Sequence, residues 1–139
     1  MEREELKQYM PHREPMLLVD RSEVVEENHV RSEYTVTGEE AFVQGHFPGN
    51  PIVPGVILCE IMAQSSVLLM KDELQDNLAL YAGLDNARFK RVVKPGDTIV
   101  VDSSLKAKHG RVIIVDAVAK VEGQLASKAT MSFFLTPKE

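Results

Sequence analysis

A chain of 139 residues that is 44% hydrophobic can bury one core without metal or disulfide help, and its length suits a single domain spanning residues 1–139. A formal charge of −5 at pH 7 argues against nucleic acid as a primary partner, because phosphate binding needs a basic surface. The one cysteine, Cys59, excludes an intrachain disulfide, and the charged opening MEREELKQYM holds no apolar signal segment, so a soluble cytoplasmic protein is expected.

In chain order, residues 2–9 suit a short helical turn. Met16-Leu17-Leu18-Val19 begins a strand-like run that turns charged at Asp20-Arg21. A second run, Val30 to Val36, is rich in β-formers and stops at Gly38. The segment Gln44-Gly45-His46-Phe47-Pro48-Gly49-Asn50-Pro51 reads as a stiff, shaped loop. Pro54 fits the first turn of a helix, where its missing N–H costs nothing. From there to about Met70 the residues are apolar on nearly every face, the pattern of a buried helix. About 17 residues make a rod of ~25 Å, and Glu60 and Gln64 make the stretch too polar, as it is too short, for a bilayer span.

The second half changes period. Ile99, Val101, Ser103, Leu105 and Ala107 alternate with polar neighbours. The pattern resumes after His109-Gly110 as Ile113, Val115, Ala117, Ala119 and Val121, and after Glu122-Gly123 as Leu125, Ala129, Met131, Phe133 and Leu135. Period two with glycine-bearing turns predicts an antiparallel meander with one buried face. One buried helix and a long antiparallel sheet make an α+β domain in which the sheet can wrap the helix.

Three positions could carry chemistry. Glu60 lies mid-helix between Cys59 and Ile61, where an unpaired carboxylate is costly, and Gln64 shares its face four residues on. Either this face meets solvent or a subunit boundary, or the carboxyl is tuned by partial burial for acid–base work. His46 sits in the stiff loop leading into that helix; loop histidines are ordinarily bland, as His109 and His29 at turn positions illustrate. Gly55 stands where the first helical N–H groups lack partners, and a glycine lets a ligand carbonyl approach, though helix-start chemistry alone would also account for it. No zinc spacing, nucleotide-binding glycine loop or nucleophile elbow is present. Cys59, Ser65 and Ser66 read as packing residues. Arg88, Lys90, Arg91 and Lys94 form a basic strip, either a solvated edge or an attractor for an acidic partner.

Gly45-His46-Phe47-Pro48-Gly49-Asn50-Pro51-Ile52-Val53-Pro54-Gly55-Val56, followed by Glu60-Ile61-Met62-Ala63-Gln64, resembles the signature of FabZ-type 3-hydroxyacyl-[acyl-carrier-protein] dehydratases. Pro11 to Arg21, Ala87-Arg88-Phe89-Lys90 and Val93-Lys94-Pro95-Gly96-Asp97 resemble the family's other blocks, so the likeness covers essentially the whole chain. The resemblance implies a hot-dog fold, a curved antiparallel sheet around a long central helix. It implies a homodimer as the active unit, often assembled into a hexamer as a trimer of dimers. It implies dehydration of (3R)-3-hydroxyacyl chains borne on acyl carrier protein to trans-2-enoyl chains in fatty acid biosynthesis, with no metal or organic cofactor. It places the catalytic histidine on His46, the catalytic acid on Glu60, and the amide that polarises the thioester carbonyl on Gly55, in a site shared between subunits. Apolar surroundings would raise the Glu60 pKa and suit it to proton donation. Some relatives gate the tunnel with a tyrosine; Tyr81 does not align with that role and reads as core packing. Acyl length would be set by packing around residues such as Phe42, Ile61 and Leu68. Three alternatives remain: a dehydratase that also isomerises, whose group usually carries aspartate where Glu60 stands; a hot-dog thioesterase; and a non-catalytic acyl-thioester-binding module.

Overall fold

The computed structural model describes residues 1–44 and 49–138. A one-turn helix, α1 (Arg3–Leu6), precedes the hairpin β1 (Arg21–Glu26) and β2 (His29–Thr35). A second short helix, α2 (Ala41–Gln44), leads toward the loop, and the main helix α3 spans Gly55–Ser65. Two 3₁₀ turns follow, Val67–Met70 and Glu73–Gln75. The chain then runs through four long strands: β3 (Asn77–Phe89), β4 (Thr98–His109), β5 (Val112–Val121) and β6 (Gln124–Pro137). All pairings are antiparallel in one six-stranded sheet of order β1-β2-β4-β5-β6-β3. Helix α3 packs against β2 through β6, so the sheet encloses it as the hot-dog expectation requires. Among the described residues no helix is long and apolar enough to cross a membrane.

The meander forms where the period-two pattern predicts it. Ile99, Val101, Ser103, Ile113, Val115, Ala117, Ala119 and Val121 are all buried. The turn between β5 and β6 places Glu122 at φ +51° and Gly123 at φ +76°, the left-handed pair that a two-residue hairpin needs. Leu125 departs from the expected phase. Ala119 pairs with Ser127 but Lys120 with Leu125, so Ala126 is an extra residue in β6; Ala126 and Ser127 are buried and Leu125 only half-buried. The bulge is used: the Ala126 carbonyl accepts the Lys90 and Arg91 N–H groups at 2.7 and 3.3 Å.

Two further expectations are corrected. Met16 to Val19 is not a strand. The Met16 and Leu17 N–H groups both donate to the Arg13 carbonyl, closing a turn, and regular pairing begins only at Arg21. Leu17, Leu18 and Val19 are nonetheless core residues, each 2% exposed or less. Helix α3 is also shorter than the apolar run. The Ser66 hydroxyl donates to the Met62 carbonyl, and the Ser65 carbonyl accepts the Ser32 hydroxyl from β2 instead of continuing the helical ladder. The chain tightens into 3₁₀ geometry from Val67 to Met70.

Met62 is 0% exposed at the centre of this packing. Met62→Ala is expected to destabilise the fold by about 2–5 kcal/mol, as read from urea unfolding at fixed protein concentration.

Candidate active site

Helix α3 is surrounded by core on most of its circumference, with Leu58, Cys59, Ile61, Met62, Ala63, Gln64 and Ser65 buried. Glu60 is the one acid on it, with 26% of its side chain exposed. Its face opens into a cavity of about 450 Å³. Apolar walls come from Ala63, Val67 and Met70 of the helical segment and from Leu80, Tyr81 and Phe133 of the sheet. Phe42, Ile61 and Leu68, expected to set the depth of such a space, do not line it; Val67, Met70 and Leu74 do.

Gln64 explains how a carboxylate is tolerated here. Its amide is 3% exposed and fully engaged: Oε1 accepts the Leu18 N–H at 2.7 Å, and Nε2 donates to the Met16 carbonyl and to Glu60 Oε2, both at 2.8 Å. The second partner of Glu60 is His12, whose Nε2 lies 3.5 Å from the same Oε2. Burial pushes the Glu60 carboxyl upward, but the His12 and Gln64 contacts and the His12 charge outweigh it and hold the pKa below its ordinary value. The expectation of a raised pKa is therefore overturned: the apolar surroundings are real, but the two polar partners decide the sign. Glu60 rests as a carboxylate.

The structure does not bring Gly55 to this cavity. Gly55 lines a second hollow of about 400 Å³ with Ile52, Val53, Leu58, Phe89 and Val92. It opens α3 next to Pro54, and the first helical bonds, from the Ile57 and Leu58 N–H groups, already reach back to the Pro54 carbonyl. A Cβ on Gly55 would stand 3.0 Å from the Phe89 ring, so a side chain there would displace the aromatic wall. His46 lies outside the described residues.

Tyr81 is not a core residue. It is 39% exposed on the cavity wall, 5.4 Å from the Phe133 ring, and its hydroxyl pKa is raised by burial and by the charges at Cys59 and Glu60. Cys59 is buried and its thiol is pushed up by burial, so it behaves as the expected small hydrophobe. Of the basic strip, Arg88, Lys90 and Lys94 are exposed, while Arg91 donates to the Val121 carbonyl and Gln124 Oε1. His12 was missed as a site residue. The only signal was its place in a proline-flanked run, Pro11 to Pro15, too tight for a strand.

A family model described as a FabA-like domain matches residues 10–130. The chain belongs to the FabA-like family. Curated relatives in this family include the 3-hydroxyacyl-[acyl-carrier-protein] dehydratase FabZ of Streptococcus pyogenes serotype M3, 40% identical over 135 residues covering 96% of this chain and 97% of the relative. The enzyme of the same name from Pseudothermotoga lettingae is 42% identical over 128 residues, covering 92% and 91%. Among solved structures, the dehydratase heterocomplex ApeI:P of Xenorhabdus doucetiae matches with TM-score 0.78 and 19% identity over 96% of this chain and 91% of that one. A hypothetical thioesterase with coenzyme A from Streptococcus pneumoniae matches with TM-score 0.63 and 16% identity over 86% and 88%. At these identities the likeness to the solved structures shows the fold alone; the curated relatives make the FabA-like chain a hydro-lyase.

Gln64→Ala tests the support of Glu60. The Leu18 N–H loses its acceptor, which is expected to cost about 1–3 kcal/mol in urea unfolding, and turnover is expected to fall with it.

Proposed function

We propose that the chain dehydrates (3R)-3-hydroxyacyl-acyl carrier protein to the trans-2-enoyl product of fatty acid biosynthesis, using His46 of one subunit and Glu60 of its partner in a homodimer or an assembly of dimers. The observation that carries this reading is a half-buried carboxylate on α3, facing an apolar cavity, in a chain of the FabA-like family. The α-proton of a thioester is weakly acidic and the 3-hydroxyl leaves poorly, so elimination needs a base at Cα, a donor at the carbonyl oxygen and control of the hydroxyl. His46 takes the α-proton, the Gly55 N–H steadies charge on the carbonyl oxygen, the new double bond forms and the C–O bond breaks. Glu60, starting as a carboxylate, orients the 3-hydroxyl by accepting its hydrogen. His46 then hands the proton it took from Cα to the departing hydroxyl, which leaves as water, so that His46 and Glu60 both end as they began. Each acid–base group typically contributes about 10²- to 10⁴-fold and one oxyanion donor about 10²- to 10³-fold. Side chains and one backbone amide suffice for every step, with no metal or organic cofactor. The cytoplasm is the proposed location, where the free Cys59 stays reduced.

The shared site is supported by the separation of the two hollows. Gly55 and Glu60 are five residues apart on α3, which puts them about 140° apart around the helix. Each faces a different space. A second copy supplies the missing half if it adds at β3, an edge strand that exposes Leu78, Leu80, Tyr81, Leu84 and Phe89.

Dehydration is read from the ultraviolet signal of enoyl-thioester formation, whereas free thiol release would favour the thioesterase reading. His46→Ala and Glu60→Gln are each expected to abolish most turnover while remaining folded. After subunit exchange, random pairing makes about half of the dimers mixed, and one site in each of these is intact, so about a quarter of all sites should regain activity. No recovery after demonstrated exchange would sink the shared site.

Acyl carrier protein, as an acidic partner, would meet the exposed cations Arg88, Lys90 and Lys94, of which Lys90 lines the Gly55 hollow. Charge reversal at any of them is expected to weaken turnover of carrier-borne substrate more than turnover of a short thioester analogue, and to alter the salt dependence of the former.

A further inference from the structure

Residues 10–18 form a strap across the Glu60 side of α3. Its seating does not depend on His12. Met10, Leu17 and Leu18 are each 2% exposed, the Arg13 guanidinium donates to the Met10 carbonyl at 2.8 Å, and Arg3 donates to the Leu17 carbonyl at 3.0 Å. The Leu18 N–H and the Met16 carbonyl are fixed by Gln64. His12 itself contributes no core side chain. Its ring lines the cavity, with Nε2 3.5 Å from Glu60 Oε2, and its Nδ1 is buried without a hydrogen-bond partner among the described residues. A buried polar atom without a partner is costly, and a fold that keeps one there for packing alone gains nothing from it.

We propose that His12 is a positioning residue for the dehydration: together with Gln64 it holds Oε2 of Glu60 and favours the carboxylate form. This rests on the proposed dehydratase reading for its kinetic consequence only. The Gln64 amide supplies a neutral hydrogen bond from the helix, and the His12 ring supplies the contact from the strap, charged when the ring is protonated. Tyr81 on β3 lines the cavity with Glu60 and feels its charge; Lys7, Arg13 and Lys138 line the same cavity. His12 and Gln64 are the groups that hold the Glu60 pKa down, His12 through its 3.5 Å contact and its charge.

The sign follows. Glu60 has its pKa lowered in part by His12, so activity that needs its carboxylate is present above that pKa and lost as pH falls through it. Removing His12 moves the loss to higher pH. A residue that only braced the strap would lower activity at every pH and leave the midpoint where it was.

The experiment compares wild type, His12→Ala and His12→Asn in the full chain. The acid limb of kcat/KM, which reports the free enzyme, is measured for enoyl-thioester formation. In parallel, the Glu60 carboxyl is titrated by carbon-13 NMR of glutamate-labelled protein, its signal assigned by its loss in Glu60→Gln. The expected result is that both the acid limb and the Glu60 midpoint move to higher pH in His12→Ala, with kcat reduced on the order of 10²-fold as the carboxyl loses its aim. His12→Asn, which keeps an N–H donor without a charge, is expected to shift less. A Glu60 midpoint unchanged in folded His12→Ala overturns the proposal. So does unfolding of both variants, because it would make His12 a structural residue. Absence of enoyl product from wild type would instead defeat the dehydratase reading, and the NMR titration would still decide the role of His12.

Discussion

A charged group on a buried helix must be given partners, and the arrangement of this molecule follows from that requirement at Glu60. Taking an ionised carboxyl out of water unaided costs more than a small domain can spare. Gln64 meets one part of the need, and is itself held by two backbone groups of the strap, Met16 and Leu18. The N-terminal segment therefore cannot be a loose tail. Its burial, its turn at Arg13 and its contacts with Arg3 are the conditions under which the acid can exist where it does.

The sheet answers a second constraint. A helix apolar on nearly every side needs apolar surface on nearly every side, and a single sheet provides this only by wrapping it. Antiparallel strands with the Ala126 bulge in β6 let the sheet continue past the helix to β3 while staying hydrogen-bonded to the connection that leads back to β4. The wrapping leaves β3 at an edge with apolar side chains on its exposed face. Two hollows remain, one on each side of α3, and the helix divides the residues of interest between them.

Much of this was legible in the residues themselves. The meander β4–β5–β6 shows because one face is buried and the other wet, which is what a period of two records. The start of α3 shows in Pro54 and Gly55, and Glu60 shows as the one acid in an apolar stretch. The end of α3 was hidden, because it depends on a hydroxyl from β2, Ser32, reaching the Ser65 carbonyl. Strand β3 was hidden for a different reason: in Leu-Ala-Leu-Tyr-Ala-Gly-Leu both faces carry apolar residues, and two register shifts break the alternation. The ionisation of Glu60 was misjudged from sequence because burial could be inferred locally, whereas its opposing partner His12 stands 48 residues earlier in the chain.

The Gln64 amide makes the two oxygens of Glu60 unequal. Its Oε1 must face the Leu18 N–H, since a backbone donor can be met only by an acceptor, and its Nε2 must then face Glu60. A hydroxyl formed on Oε2 would point a hydrogen at a hydrogen. A proton added to Glu60 therefore belongs on Oε1, and the carboxyl is a one-sided group: one oxygen is held by the Gln64 amide and the other is not. The handedness of that division is set by a single backbone N–H in the strap.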